Sequence, residues 1–179
     1  VYVKSLGNTK RLVLDTTGAV GTDATIFNST TPNTTIFGIG ENAGANGNGH
    51  GQIAYCFASV KGYSKMGSYT GNSNADGTFV YTGFKPAWVM VKKSSATNNW
   101  VMTDNKRDPF NDDATNYLLA NDTGAAGTGL NFDFLSNGFK LRSNSGGTNT
   151  SSATYIYMAF AENPFVATSG TSAIPVTAR

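Results

Sequence analysis

The chain has 179 residues, of which only 13% are charged against about 25% in an average soluble domain, and its net charge of +2 is spread so thinly that no basic run exceeds a pair. That spread excludes the concentrated basic face a nucleic-acid binder needs, and no apolar stretch approaches the roughly 18 to 20 residues that would cross a bilayer as a helix, so neither nucleic acid nor membrane insertion is expected. Polarity comes instead from 19 Asn, 23 Thr and 15 Ser beside 21 Gly, residue types that favour turns and, for Thr, strands, so short β-strands joined by many loops are expected.

In chain order, the first patterned segment is Leu12-Val13-Leu14 followed by "TGAVGT", and the next are Phe37-Gly38-Ile39 and "QIAYCFASV" at residues 52–60. Each has a later echo. "TGAVGT" lies over "TGAAGT" at an offset of 106, Phe37-Gly38-Ile39 over Phe139-Lys140-Leu141 at 102, and residues 53–58 over Ile156-Tyr157-Met158-Ala159-Phe160-Ala161 at 103. Small changes of offset are what loop insertions produce. Residues 64–107 have no counterpart upstream, and Val1-Tyr2-Val3 aligns with Trp100-Val101-Met102, so about one and a half repeats of a β module are expected. The organisation read from this is the C-terminal half of a truncated first repeat at 1–62, a complete second repeat at 63–166 packed with the first, and an extended C-terminal tail at 167–179. A start at Val1 reads as a processed product or the C-terminal part of a longer polypeptide.

Within the second repeat, β-branched and aromatic residues cluster at 79–82, 87–91 and 155–160, separated by Gly/Asn/Asp turn signals at 72–77, 98–99, 137–138 and 143–149. Pro86 and Pro109 fall at strand edges or loops. The best helical candidate, residues 112–119, lacks a second apolar turn. The pattern predicts an all-β fold, an antiparallel β-sandwich of jelly-roll type.

Chemistry is sparse. The single histidine, His50, lies in the glycine-rich "NGNGHGQ" and reads as a solvated loop residue; the single cysteine, Cys56, reads as a small buried hydrophobe within "IAYCFA", a place alanine takes in the echo, and permits no intrachain disulfide. One His and one Cys make zinc a poor fit. Asp104, Asp108, Asn111, Asp112 and Asp113 crowd into "DNKRDPFNDDATN"; Asp108, Asn111, Asp112 and Asp113 offer oxygens to calcium, while Lys106 and Arg107 oppose a cation and leave an ordinary salt-bridged turn as the other reading. No other cofactor is expected. Asp104 with Asp133 or Glu162 could be drawn as a glycosidase pair, as could other acids in such a fold. Among aromatics able to stack on a sugar, Trp100, Tyr69 and Tyr81 are the candidate glycan contacts, whereas Trp88, flanked by Val89 and Val91, is expected in the core.

The segments "FVYTGFKPAWVMVK", "DFLSNGFKLRSNS" and "TYIYMAFAENPF", within residues 8–165, resemble a domain found near the C-terminal end of tail-fibre-like virion structural proteins of tailed bacteriophages, the marine and cyanobacterial type above all, where it follows laminin-G/concanavalin-like sandwich modules. The resemblance implies a concanavalin-like sandwich on the virion surface, outside the cell, without enzymatic activity, serving host attachment as the C-terminal module of a tail fibre or adhesin. It implies other virion proteins as partners, a homo-oligomer, for a fibre a trimer, and a host surface glycan as a further partner. A capsid decoration or head-fibre protein is the alternative within the virion, and a glycan-degrading tailspike-like enzyme the alternative outside that class. No catalytic residue comes with the resemblance, and His50 departs from the family's usual loop, which reads more like "NGDTYVAYCF".

Overall fold

Residues 154–161 alternate strictly, with Tyr155, Tyr157 and Ala159 buried on one side and Ile156, Met158 and Phe160 on the other, which is the pattern of a strand with both faces covered to different degrees. The structure, a computed structural model, describes residues 1–108, 110–111, 116–164, 166–169 and 172–175. Its elements in chain order are β1 (Lys10–Arg11), β2 (Gly21–Thr22), α1 (Ala43–Asn46), β3 (Ser64–Thr70), β4 (Phe79–Tyr81), β5 (Pro86–Lys93), β6 (Trp100–Asp104), β7 (Leu118–Leu119), β8 (Phe132–Leu135), β9 (Gly138–Leu141), β10 (Thr154–Ala161), β11 (Val166–Ser169) and β12 (Ser172–Pro175). The fold is all-β, with a single helical turn among the described residues.

A five-stranded antiparallel sheet in the order β3-β10-β5-β6-β7 faces a three-stranded antiparallel sheet in the order β4-β9-β8. The core between them takes Tyr69, Val89, Val91, Val101, Tyr155, Tyr157 and Ala159 from the larger sheet and Val80, Phe132, Phe134, Phe139 and Leu141 from the smaller. This is the inward half of each strand's alternation, as a sandwich requires. Tyr69 stacks on Tyr155 with centroids 5.0 Å apart, and Phe139 meets Tyr157 edge-on at 5.5 Å. Pro86 opens β5, where a missing N–H does least harm to a ladder.

The outward face of the larger sheet is also apolar. All four methionines of the chain stand in one row across it, since Met158 lies opposite both Met66 and Met90, and Met90 opposite Met102. Beside that row a second cluster forms where Leu12 packs on Trp100 and Ile156, with Val3, Leu6 and Val20 around it. The N-terminal segment therefore acts as a cover on this face.

Two loops are clamped by a fully buried amide. Asn149 donates through Nδ2 to Asn72 Oδ1, Asn74 O and Ser143 O at 3.1, 2.9 and 2.8 Å and accepts from the Asn72 N–H at 2.9 Å. A Cβ on Gly77 would collide with Leu141 O and the Asn149 amide, so that loop closes only over glycine.

Lys92 is fully buried with no carboxylate partner, and its ammonium donates to the carbonyls of Thr17, Lys93 and Asn98 at 3.1, 3.0 and 2.8 Å. Three donors meet three acceptors, tying the N-terminal cover to the β5–β6 turn. Burial, helped by the charge of Lys93, lowers the Lys92 pKa from 10.5 to about 8. A lysine whose folded pKa is depressed loses its proton first in the folded state, so between about pH 8 and 10.5 the unfolded chain binds more protons and stability rises with pH. Urea unfolding at pH 7.5 and 9.0, where tyrosine is still largely protonated, should show this rise in the wild type. Lys92→Met should flatten it.

The repeat is visible at short range and absent at long range. Arg11 pairs with Gly21, and 106 residues later Tyr117 pairs with Gly127, so both "TGA" segments close the same small bridge. Val1 and Leu12 also exchange backbone hydrogen bonds, as the strands β6 and β7 do in the second unit. Residues 37–39 and 52–59, by contrast, form no strand, although their echoes are β9 and β10. The reason is partnership. β10 lies between β3 and β5, which satisfy its backbone on both edges, and no strand stands in those places beside residues 52–58. The expectation of a strand burying Cys56 is thus corrected, since Cys56 is exposed. From the end of the second repeat into the expected tail, 166–169 and 172–175 pair as an antiparallel hairpin, and Pro109 and residues 112–115, half of the helical candidate at 112–119, lie outside the described residues.

Candidate functional site

The aromatic candidates separate by burial. Trp100 is 2% exposed, under the N-terminal cover, with Nε1 donating to Val13 O at 3.0 Å, and Tyr69 is 8% exposed in the core, its hydroxyl donating to Thr148 O at 2.8 Å. Both expectations of a glycan contact are corrected. Burial drives the Tyr69 hydroxyl well above the ordinary tyrosine pKa, as suits a neutral core donor. Trp88, expected in the core, is half-buried on the outward face beside Phe160, with centroids 5.8 Å apart. The swap follows from strand register: Trp88 sits opposite Phe160 and Trp100 opposite Lys92, and the cover reaches only the latter row.

Tyr81 is the candidate that stays accessible, at 58% exposure. It lines a cleft of about 530 Å³ between the turn that enters β3 and the turn that leaves β4, together with Ser59, Lys61, Ser64, Lys65 and Thr82. Two tight turns hold the walls. Val60 and Ser64 exchange backbone hydrogen bonds at 2.9 and 3.0 Å around Gly62, which has φ +73°, and the N–H groups of Thr82 and Gly83 both donate to Asn137 O at 3.0 Å, with Gly83 at φ +86°. Left-handed backbone at both turns selects glycine. Ser64 Oγ donates to Ala58 O at 2.7 Å, and Ser59 Oγ accepts from the Met66 N–H at 3.1 Å, capping the end of β3. Lys65 places its ammonium 5.5 Å from the Tyr81 ring centre.

The acidic loop is knitted together by its own side chains. Asp108 accepts from the backbone N–H and the side-chain amide of Asn116 at 2.5 and 2.6 Å, one bond to each carboxylate oxygen. Asn111 spans Phe134, accepting from its N–H at 2.8 Å and donating to its carbonyl at 3.2 Å. A small cavity of about 50 Å³ touches Asp108 and Asn111, with Lys85 in its wall, a charge that works against a cation. Asp112 and Asp113 lie outside the described residues, and among the described residues no group of three or more His, Cys, Asp or Glu is placed to hold a metal.

The carboxylates drawn as a glycosidase pair are each committed elsewhere. Burial raises the Asp104 carboxyl, but hydrogen bonds from Arg107 and the Lys106 N–H outweigh it and hold the group below the usual range. Glu162 is lowered first by its bond to Lys85 at 2.8 Å, and it also accepts from Asn105 at 2.7 Å. Asp133 lies 3.4 Å from Arg142. A general acid needs the opposite tuning, a carboxyl pushed up. His50 is exposed in its loop.

Lys61 and Lys65 are the residues of the cleft that sequence patterning passes over. The "KGYSK" spacing puts Lys61 on the turn and Lys65 at the start of β3, but only the approach of β4 makes that corner a wall.

An antiparallel two-sheet sandwich with a cleft at its β3/β4 side defines an all-β module. Residues 1–164 match the DUF7483 family, described as a domain of unknown function, and the chain belongs to that family. No curated protein and no solved structure matches the chain. Among the described residues, no helix is long and apolar enough to cross a membrane.

Proposed function

We propose that the chain is a non-enzymatic structural module of a tailed-phage virion, the C-terminal module of a tail fibre or adhesin, exposed on the particle surface and serving attachment to the host. The observation that carries this reading is an apolar run left open to solvent: Ile53, Tyr55 and Phe57 are 80, 81 and 56% exposed, and Tyr63 and Val60 continue the patch. A patch of this kind marks a surface that is covered by another molecule in the working assembly. In a fibre the cover is the other copies of the chain, set around a closed symmetry axis. The sequence resemblance to virion proteins, the many uncharged polar loops and the clamped turns agree with a rigid display module.

The test is the solution mass by light scattering. A trimer is expected for the wild type, falling to monomer in the double substitution Ile53→Ser, Tyr55→Ser. A monomeric wild type at micromolar concentration would count against assembly through this patch. Labelling of intact particles with an antibody to the chain separates the tail fibre, expected here, from a capsid decoration.

A further inference from the structure

The cleft at the β3/β4 side of the sandwich carries two cations and no counter-charge. Lys61 and Lys65 both line it, no carboxylate does, and neither ammonium makes an ion pair or a hydrogen bond with any described residue, Lys65 lying instead over the Tyr81 ring. Elsewhere on the described surface Arg11 pairs with Asp23, Lys85 with Glu162, Arg107 with Asp104, and Lys140 and Arg142 with Asp76, while Lys4, Lys10 and Lys106 stand singly without a carboxylate partner and line no cleft. Two ammonium groups without a carboxylate, Lys61 on the turn and Lys65 four residues later in β3, where it lies over the exposed Tyr81 ring, make a local positive potential beside an aromatic surface.

We propose that this cleft binds an anionic sugar, with the carboxylate or sulfate of the residue held between Lys61 and Lys65 and the sugar ring packed against Tyr81; the proposal rests on the attachment reading and names its ligand class. Three features select the ligand. Size comes first: about 530 Å³ falls within the roughly 300 to 1,000 Å³ of small-ligand sites. Chemistry comes second, because the hydroxyls of Ser59, Ser64 and Thr82 are committed to backbone groups, which leaves two ammonium groups and the exposed Tyr81 ring as the recognition elements, and an acidic sugar offers an anion and an apolar ring face to match them. Rigidity comes third. The two glycine turns are fixed by paired backbone hydrogen bonds, so little ordering is left to do on binding. A nucleic-acid strand also stacks on tyrosine and pairs with lysine, but it needs a basic track for successive phosphates, and only these two cations line the cleft.

Titration calorimetry of the purified chain against oligogalacturonate, a sulfated galactan oligosaccharide, cellohexaose and a single-stranded oligonucleotide tests this. Binding is expected for an acidic sugar, the carboxylated or the sulfated probe identifying the source of the anion, and it should weaken as salt is raised. Cellohexaose should not bind. Lys61→Glu should weaken binding at least about tenfold, Tyr81→Ala similarly, and Tyr81→Phe should stay near wild type. Lys61 is exposed on its turn, so its variant keeps the fold, which thermal unfolding verifies. Absence of acidic-sugar binding, binding indifferent to Lys61→Glu and Tyr81→Ala, or equally tight binding of the oligonucleotide would overturn the proposal. Adsorption to host cells separates it from the attachment reading: if the chain and Lys61→Glu adsorb equally, the cleft is wrong and attachment stands. If the chain binds acidic sugar with the expected sensitivities but no host cell, attachment is wrong and the cleft stands.

Discussion

Asn149→Ala should lower stability by roughly 3 to 4 kcal/mol, the sum expected when a fully buried amide leaves several polar groups unsatisfied at once. The Asn72 N–H loses its acceptor, while Asn74 O and Ser143 O lose their donor. For a chain of this size each kcal/mol moves the midpoint by about 2 to 4 °C, so calorimetry should record a fall of roughly 10 °C. Asn149→Asp sharpens the test by replacing the donating amide with a carboxylate facing three acceptors. Its pKa in the folded state must rise, so its deficit relative to wild type should be smaller at pH 3.5 than at pH 7. A loss below about 1 kcal/mol for the alanine variant would mean that residues 72–77 and 143–149 hold their shapes without this clamp.

Trp100→Ala should be of similar size, about 3 to 5 kcal/mol, because it removes the largest fully buried side chain among the described residues. Its effect should also be local. Leu12 loses its packing partner and Val13 O loses the indole N–H, so residues 1–22 should lift from the larger sheet. Trypsin then reaches Lys4, Lys10 and Arg11, and cleavage at those sites should accelerate well ahead of cleavage at the buried Lys92. Trp100→Phe keeps most of the packing and loses the hydrogen bond, with an expected cost of about 1 kcal/mol. Unchanged trypsin resistance in Trp100→Ala would show that the Lys92 tie to Thr17 O holds the cover by itself.

The expected and observed sites differ in an instructive way. Of the three aromatics named as glycan contacts, Tyr81 is the one that stays accessible, at the end of β4. Trp100 could not be placed, because the leucine that buries it comes 88 positions earlier, and nothing near the indole in sequence announces it. Lys92 and Asn149 look like ordinary polar residues beside turns. Their burial arises only when Thr17, in one case, and Asn72 with Asn74, in the other, are brought over them. The Met row is equally silent in the sequence, since register across four strands aligns residues at 66, 158, 90 and 102.

By itself the sequence determined what local forces control: the all-β class, from period-2 alternation and turn residues; strands at 79–82, 87–91 and 155–160, which are β4, β5 and β10; and the echo of "TGAVGT" in "TGAAGT", which the structure shows as the short-range bridges Arg11–Gly21 and Tyr117–Gly127. Tertiary structure decided the fate of the repeat. The same strand-like words are β10 in one place and open chain at 52–59 in the other, because a strand is stabilised by its neighbours' backbone groups as much as by its own side chains. Only residues 154–161 find a strand on each edge.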